Sequence, residues 1–183
     1  MIHTIKPFLS KLAVAAALTL TFTLQSCNEA PDKFFGIAVL NTNTISDFGT
    51  PILAKHIDDE TTEFPDIPSS KKKGDEAVQY VARNLSYMEK SLKDIKALGE
   101  GGDDRKEIKA QSIALYEYVI PVYKNEYTAY AKLCDTKAPQ EQKDEIIKSI
   151  AQKYNAEFER KYGQLLASGK TFADKHGINV DWK

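Results

Sequence analysis

From Val78 to Ile95 the apolar residues of this chain advance by alternating steps of three and four: Val78, Val81, Leu85, Met88, Leu92, Ile95. Side chains spaced in this way share one stripe of an α-helix, while Arg83, Glu89, Lys90 and Asp94 fall off it. A helix of this kind must bury its stripe against other elements. The spacing predicts a helix opening at Asp75 and closing at Leu98 and Gly99, where "GEGGDDR" supplies a turn. A second stripe follows, through Ile108, Leu115, Val119, Val122, Ala129 and Leu133, to Cys134. Asp104 is placed to cap it, with Glu107 three residues on completing an acidic capping box. Pro121 removes one backbone donor in mid-stripe, but the apolar period resumes beyond it, so a kink is expected there and not an end. "DTKAPQEQKDE" breaks the chain from Asp135 to Pro139, and Ile147, Ile150, Tyr154, Phe158, Leu165 and Phe172 mark a last helix. That helix is expected to stop at His176, because Gly177 can take a left-handed conformation and Ile178 can fold back on the last apolar turn. Residues 179–183 then form a tail, with Trp182 either packed on the bundle or loose.

The stretch before the first strong helix is less regular. Ile45, Phe48 and Ile52 recur at helical spacing, and Thr50–Pro51 reads as an N-cap and first helical residue, yet Gly49 and several β-branched residues interrupt the pattern. A helix broken near Gly49 is the reading. "PDIPSSKKKG" is an exposed connection; its lysines could touch anionic headgroups, but three charges on a turn attract weakly and are screened by salt. The expected fold is all-α, an up-and-down antiparallel bundle of four helices over 34–178, with three helices and an irregular N-terminal segment as the alternative. No glycine-rich phosphate loop and no βαβ alternation argues for a nucleotide-binding fold.

The first 26 residues stand apart. They carry Lys6 and Lys11 and no acid, run through the apolar "LAVAAALTLTFTL", and reach Ser26 just before Cys27. That order of parts is a secretory leader, and the apolar run is shorter than the roughly 20 residues a spanning helix needs. Its last four residues, "LQSC", resemble the lipobox of bacterial lipoproteins. The resemblance implies a diacylglycerol on the Cys27 sulfur, cleavage before Cys27 and acylation of the new amino terminus, palmitate among the acyl groups. Asn28 in place of aspartate implies the outer membrane. Durable anchoring takes at least two hydrophobic signals, at about 0.8 kcal/mol per buried methylene, and a multiply acylated cysteine supplies them. The polar stretch 27–33 would be the tether. An ordinary leader, with Cys27 bridged to Cys134, is the alternative.

With the leader removed, 183 − 26 = 157 residues remain, one domain's worth. The formal charge of −1 falls to −3 with the loss of Lys6 and Lys11. A slightly acidic chain offers no electrostatic case for nucleic acid. Cys134 reads as a small buried apolar residue, since "AKLCDTK" builds no positive surroundings for a thiolate.

Tyrosine is the residue type most unevenly placed. Tyr116, Tyr118, Tyr123, Tyr127 and Tyr130 crowd one helix in a chain with 9 tyrosines. Tyr116, Tyr123, Tyr127 and Tyr130 form a stripe beside the aliphatic one, either a wider core with hydroxyls at its rim or a face lining a groove for a ligand or partner. "KHIDDE" places His56 beside Asp58, Asp59 and Glu60, but a metal site would need further ligands, and the glutamate–histidine spacing of di-iron bundles is absent. Asp103 and Asp104 lack the spacing of an EF-hand loop. No nucleophile elbow is present. The expectation is therefore no catalytic residue, cofactor or metal. The order of parts, with "ALGEGGDD", "YEYVIPVYKNEY" and "FADKHGI", also resembles an uncharacterised group of bacterial surface lipoproteins over Asp75–Ile178, which implies a helical envelope lipoprotein and brings no catalytic residues. A non-enzymatic interaction or structural module at the envelope, facing the periplasm or the outside, is the first expectation. Its partners would be the membrane, through Cys27, and an envelope protein or small apolar ligand. A ligand receptor built on the tyrosine face is the second.

Overall fold

The computed structural model describes residues 29–182, so the leader, the lipobox and Cys27 lie outside the described residues. Among the described residues there is no strand. Helix α1 is Pro31–Ala38 and α2 is Pro51–Asp59, with a 3-10 segment, Leu40–Ile45, between them. Helix α3 is Glu76–Ala97. Helix α4 covers 103–135, as Asp103–Val122, a π turn Tyr123–Tyr127 and Thr128–Asp135. Helix α5 covers 140–176, as Gln140–Ile150, a π turn Ala151–Asn155 and Ala156–His176.

Proline opens both α1 and α2, where its missing N–H costs nothing and its fixed φ already suits the helix. The three long helices alternate in direction and pack side by side. The segment 31–59 supplies the fourth leg. Its Phe34 ring lies 5.4 Å from Phe172 near the end of α5, Phe48 lies 4.8 Å from Phe158 at mid-bundle, and Asp58 meets Lys143 near the start of α5. The expected antiparallel four-leg bundle is therefore present, with one leg made of two short helices. At the α1 end α5 comes close: a Cβ on Gly169 would sit 2.9 Å from Val39 Cγ1, so only glycine allows that approach.

The expected ends of α3 and α5 are found. Gly177 has φ 65°, and the Ile178 N–H donates to Ala173 O at 2.9 Å, a Schellman closure. The expected tail packs too, with Trp182 edge-on to Phe35 at 6.0 Å.

Other expectations are corrected. Residues 31–33, read as part of a tether, belong to α1, and Glu29 is docked: its carbonyl accepts from Arg105 Nη1 at 2.8 Å and its Oε2 from the Gly99 N–H at 3.2 Å. Asp104 is not an N-cap. Gly102 holds that position, Asp104 lies in the first turn and pairs with Lys175 at 2.7 Å, and Glu107 accepts from Gln111 instead of closing a capping box. The cap that matters belongs to α3 and comes from elsewhere: the Asp135 carboxylate accepts the Ala77 and Val78 N–H groups at 2.9 and 3.0 Å, so the residue that ends α4 also starts α3.

Pro121 does not end α4, and a π turn follows two residues later. A π turn holds one residue more than an α turn and shifts the apolar phase by about 100°. The stripe slips accordingly, and Tyr127, Tyr130, Ala131 and Cys134 are buried where Ala129 and Leu133 were expected. Along the fourth leg Gly49, at φ 75°, resets the phase in the same way, leaving Ile52 exposed and burying Leu53 and Ile57. Gly49 also meets α5, since a Cβ there would lie 2.6 Å from Asn155 Oδ1.

Candidate functional site

The tyrosine stripe of α4 faces inward, onto the fourth leg. Tyr116, Tyr123, Tyr127 and Tyr130 are all buried. The Tyr116 hydroxyl donates to Asn41 O at 3.0 Å, the Gly49 N–H donates to the Tyr127 hydroxyl at 2.9 Å, and the Tyr130 hydroxyl donates to Ala54 O at 3.3 Å. The rings widen the core, as one of the two expectations had it, but the hydroxyls do not reach a wet rim. Those of Tyr116, Tyr127 and Tyr130 meet backbone groups of a leg whose turns and short helices leave polar groups that a continuous helix would have paired internally. A ligand would have to displace residues 41–49 to reach the hydroxyls of Tyr116 and Tyr127.

Burial raises the pKa of these phenols, pushing Tyr116 and Tyr127 up to about 12 and Tyr123 and Tyr130 further, so all stay protonated at neutral pH. Two further tyrosines bridge the π turns. Tyr118 donates to Tyr154 O at 3.1 Å, and Tyr154 donates to Glu126 Oε1 at 2.8 Å. Mid-bundle is thus the irregular level of the fold, with Gly49 and both π turns at one height.

Below that level a groove of about 550 Å³ opens between α2 and the first half of α5. Of the four stripe tyrosines only Tyr130 lines it. Ala54, Ile147 and Ala151 complete an apolar floor, and Lys55, Asp58, Asp144 and Lys148 stand on its rim. The sequence signalled Tyr130 and, in "KHIDDE", Asp58, but not Lys55, Asp144 or Lys148, because α2 and α5 meet only in the folded chain.

The remaining candidates are dispersed or engaged. His56 is exposed, Asp58 pairs with the buried Lys143 at 2.8 Å, Asp59 pairs with Lys55, and Glu60 lies 3.7 Å from Arg83. No group of three or more potential metal-ligating His, Cys, Asp or Glu side chains occurs among the described residues. Cys134 is free and buried; loss of hydration and a hydrogen bond with Asp58 push its thiol up to about 12. The backbone of the lysine run is held by carboxylates, Lys72 N–H by Glu63 at 3.0 Å and Lys73 N–H by Glu76 at 2.7 Å, so negative charge accompanies the three cations. Arg105, unmarked in the sequence, is buried over the Phe34 ring at 4.9 Å while it holds Glu29. No helix among the described residues is long and apolar enough to cross a membrane.

Glu29 sits beside Arg105 in the first turn of α4, whereas Cys134 is 29 residues further along that helix, about 43 Å away at 1.5 Å per residue. No protein-family model, curated protein or solved structure matches the chain.

Proposed function

We propose that this chain is a lipid-anchored, non-enzymatic module of the bacterial outer membrane, tethered through Cys27 and serving the envelope as an interaction or structural element. The order of parts at the amino terminus carries the reading: Lys6 and Lys11 with no acid, an apolar run shorter than a bilayer span, and "LQSC" ending on Cys27. Glu29 is docked on Arg105 and Gly99, at the pole made by the α3–α4 turn and the end of α5, and in this reading that pole would rest against the bilayer while the 60–75 loop points away. Inward-facing, protonated tyrosines and a shielded thiol support a structural role for the residues that a catalytic reading would have used first.

Metabolic labelling with a radioactive or clickable palmitate analogue in a Gram-negative host tests it. The expected result is label in the outer-membrane fraction for the wild type and none for Cys27→Ala, which accumulates as precursor with its helical content unchanged. Equal labelling of the variant, or recovery of unlabelled wild type from the cytoplasm with its leader intact, would overturn the proposal.

A further inference from the structure

The groove beside Tyr130 has a charge order that its two walls share. The walls run antiparallel, α2 toward Asp58 and α5 away from Lys143, which Asp58 binds. On α2, Lys55 lies one turn closer to mid-bundle than Asp58; on α5, Lys148 lies one turn closer to mid-bundle than Asp144. Each wall therefore sets a cation at the mid-bundle end and a carboxylate at the outer end. The four rim charges cancel, and the partners that engage two of them, Asp59 on Lys55 and Lys143 on Asp58, cancel as well, so the groove has no reason to prefer a simple anion or a simple cation. It favours a molecule that carries both, in order.

The spacing limits that molecule. Asp144 and Lys148 are one helical step of four apart, about 6 Å along the axis. An extended residue spans up to about 3.6 Å, so two or three residues separate an ammonium from a carboxylate by the required length. A free α-amino acid, with both groups on one carbon, is too short. The volume, about 550 Å³, is in the range of small-ligand sites, and the floor of Ala54, Tyr130, Ile147 and Ala151 suits apolar side chains. Asp58 is held from behind by Lys143, with its Nζ at 2.8 Å, which fixes its position and leaves Asp144 as the main partner for an ammonium.

We propose that this groove binds a short peptide of two or three residues with free termini, its ammonium toward Asp144, its carboxylate toward Lys148 with the Asp59-paired Lys55 beside it, and its apolar side chains over Tyr130 and Ile147. The site gives the envelope module a ligand class and does not depend on the lipid.

Full-length mature protein in detergent micelles, titrated calorimetrically with the tripeptide Ala-Leu-Ala and with its N-acetylated and C-amidated forms, tests this. Exposed charges contribute little each, so removing one terminal charge is expected to weaken saturable, high-micromolar to millimolar binding by about two- to fivefold. Lys148→Gln should erase the preference for a free carboxylate and Asp144→Asn the preference for a free ammonium. Ala151→Leu, which fills the floor, should abolish binding; because that residue sits in a π turn, the two exposed rim variants decide the matter if it misfolds. Absence of saturable binding by the wild type, or terminal preferences unchanged in both rim variants, overturns the proposal. Cys27→Ala should bind the peptide as the wild type does, so failure of the anchor and failure of the groove are separate results.

Discussion

Tyr127→Phe isolates the role assigned to the tyrosine stripe. Tyr127 is 1% exposed, and its hydroxyl accepts the Gly49 N–H at 2.9 Å in a buried bond. Gly49 stands at a left-handed turn, outside any helical ladder, so that N–H has no regular backbone acceptor to fall back on. Deleting the hydroxyl strands a buried donor, which costs about 1–3 kcal/mol. The other two hydroxyls serve carbonyls with an alternative. Asn41 O also accepts the Thr44 hydroxyl at 2.8 Å, and Ala54 O lies within α2, whose own ladder can satisfy it. Tyr116→Phe and Tyr130→Phe should therefore cost less, about 0.5–1.5 kcal/mol each. Equilibrium urea unfolding followed by circular dichroism at 222 nm, with hydrogen exchange at the Gly49 amide, reads both the order and its cause. The Gly49 amide should exchange faster in Tyr127→Phe alone. A Tyr127→Phe protein as stable as the wild type, or ranked below Tyr130→Phe in cost, would refute the claim that these hydroxyls pin the fourth leg.

Asp135→Ala should lower stability by about 1.5–3 kcal/mol, because two N–H groups at the start of α3 lose a charge-assisted acceptor, and Asp135→Asn should recover part of it; thermal denaturation of the two variants checks this. Raising the pH should destabilise the fold from about pH 10 upward. Tyr116 and Tyr127 are held up to about 12 in the fold, so above pH 10 the unfolded chain binds fewer protons than the native one; stability is fully present below 10 and falls toward 12, measurable as chevron midpoints against pH. Cys134, with its thiol raised to about 12 and buried, should resist alkylation at pH 8 in the native protein and react fully in urea, as mass spectrometry would record.

Where the chain keeps one helical period, its sequence could be read nearly residue by residue. The stripe from Val78 to Ile95 is buried or half-buried, and the Gly177–Ile178 closure stands where glycine chemistry requires it. Reading failed where the period is reset. The π turn at Tyr123–Tyr127 adds a residue that no propensity announces, and the buried positions after it moved by one. Gly49 did announce its break, but the phase of the helix beyond it depends on the turn's geometry, so Ile52 pointed the wrong way. Partners distant in sequence stayed hidden for a different reason. Asp135 with Ala77 and Val78, Asp58 with Lys143, and Arg105 with Glu29 are contacts that only helix packing creates. The groove belongs with them, since the residues that join its walls, Asp58 and Lys143, stand 85 positions apart in the chain.

The mass of the intact mature chain extracted from membranes bears most directly on the account. We predict a polypeptide that begins at Cys27 and carries a thioether-linked diacylglycerol together with an amide-linked acyl group, with Cys134 unmodified. A chain that begins at any other residue, or one with an unmodified thiol at position 27, would contradict it.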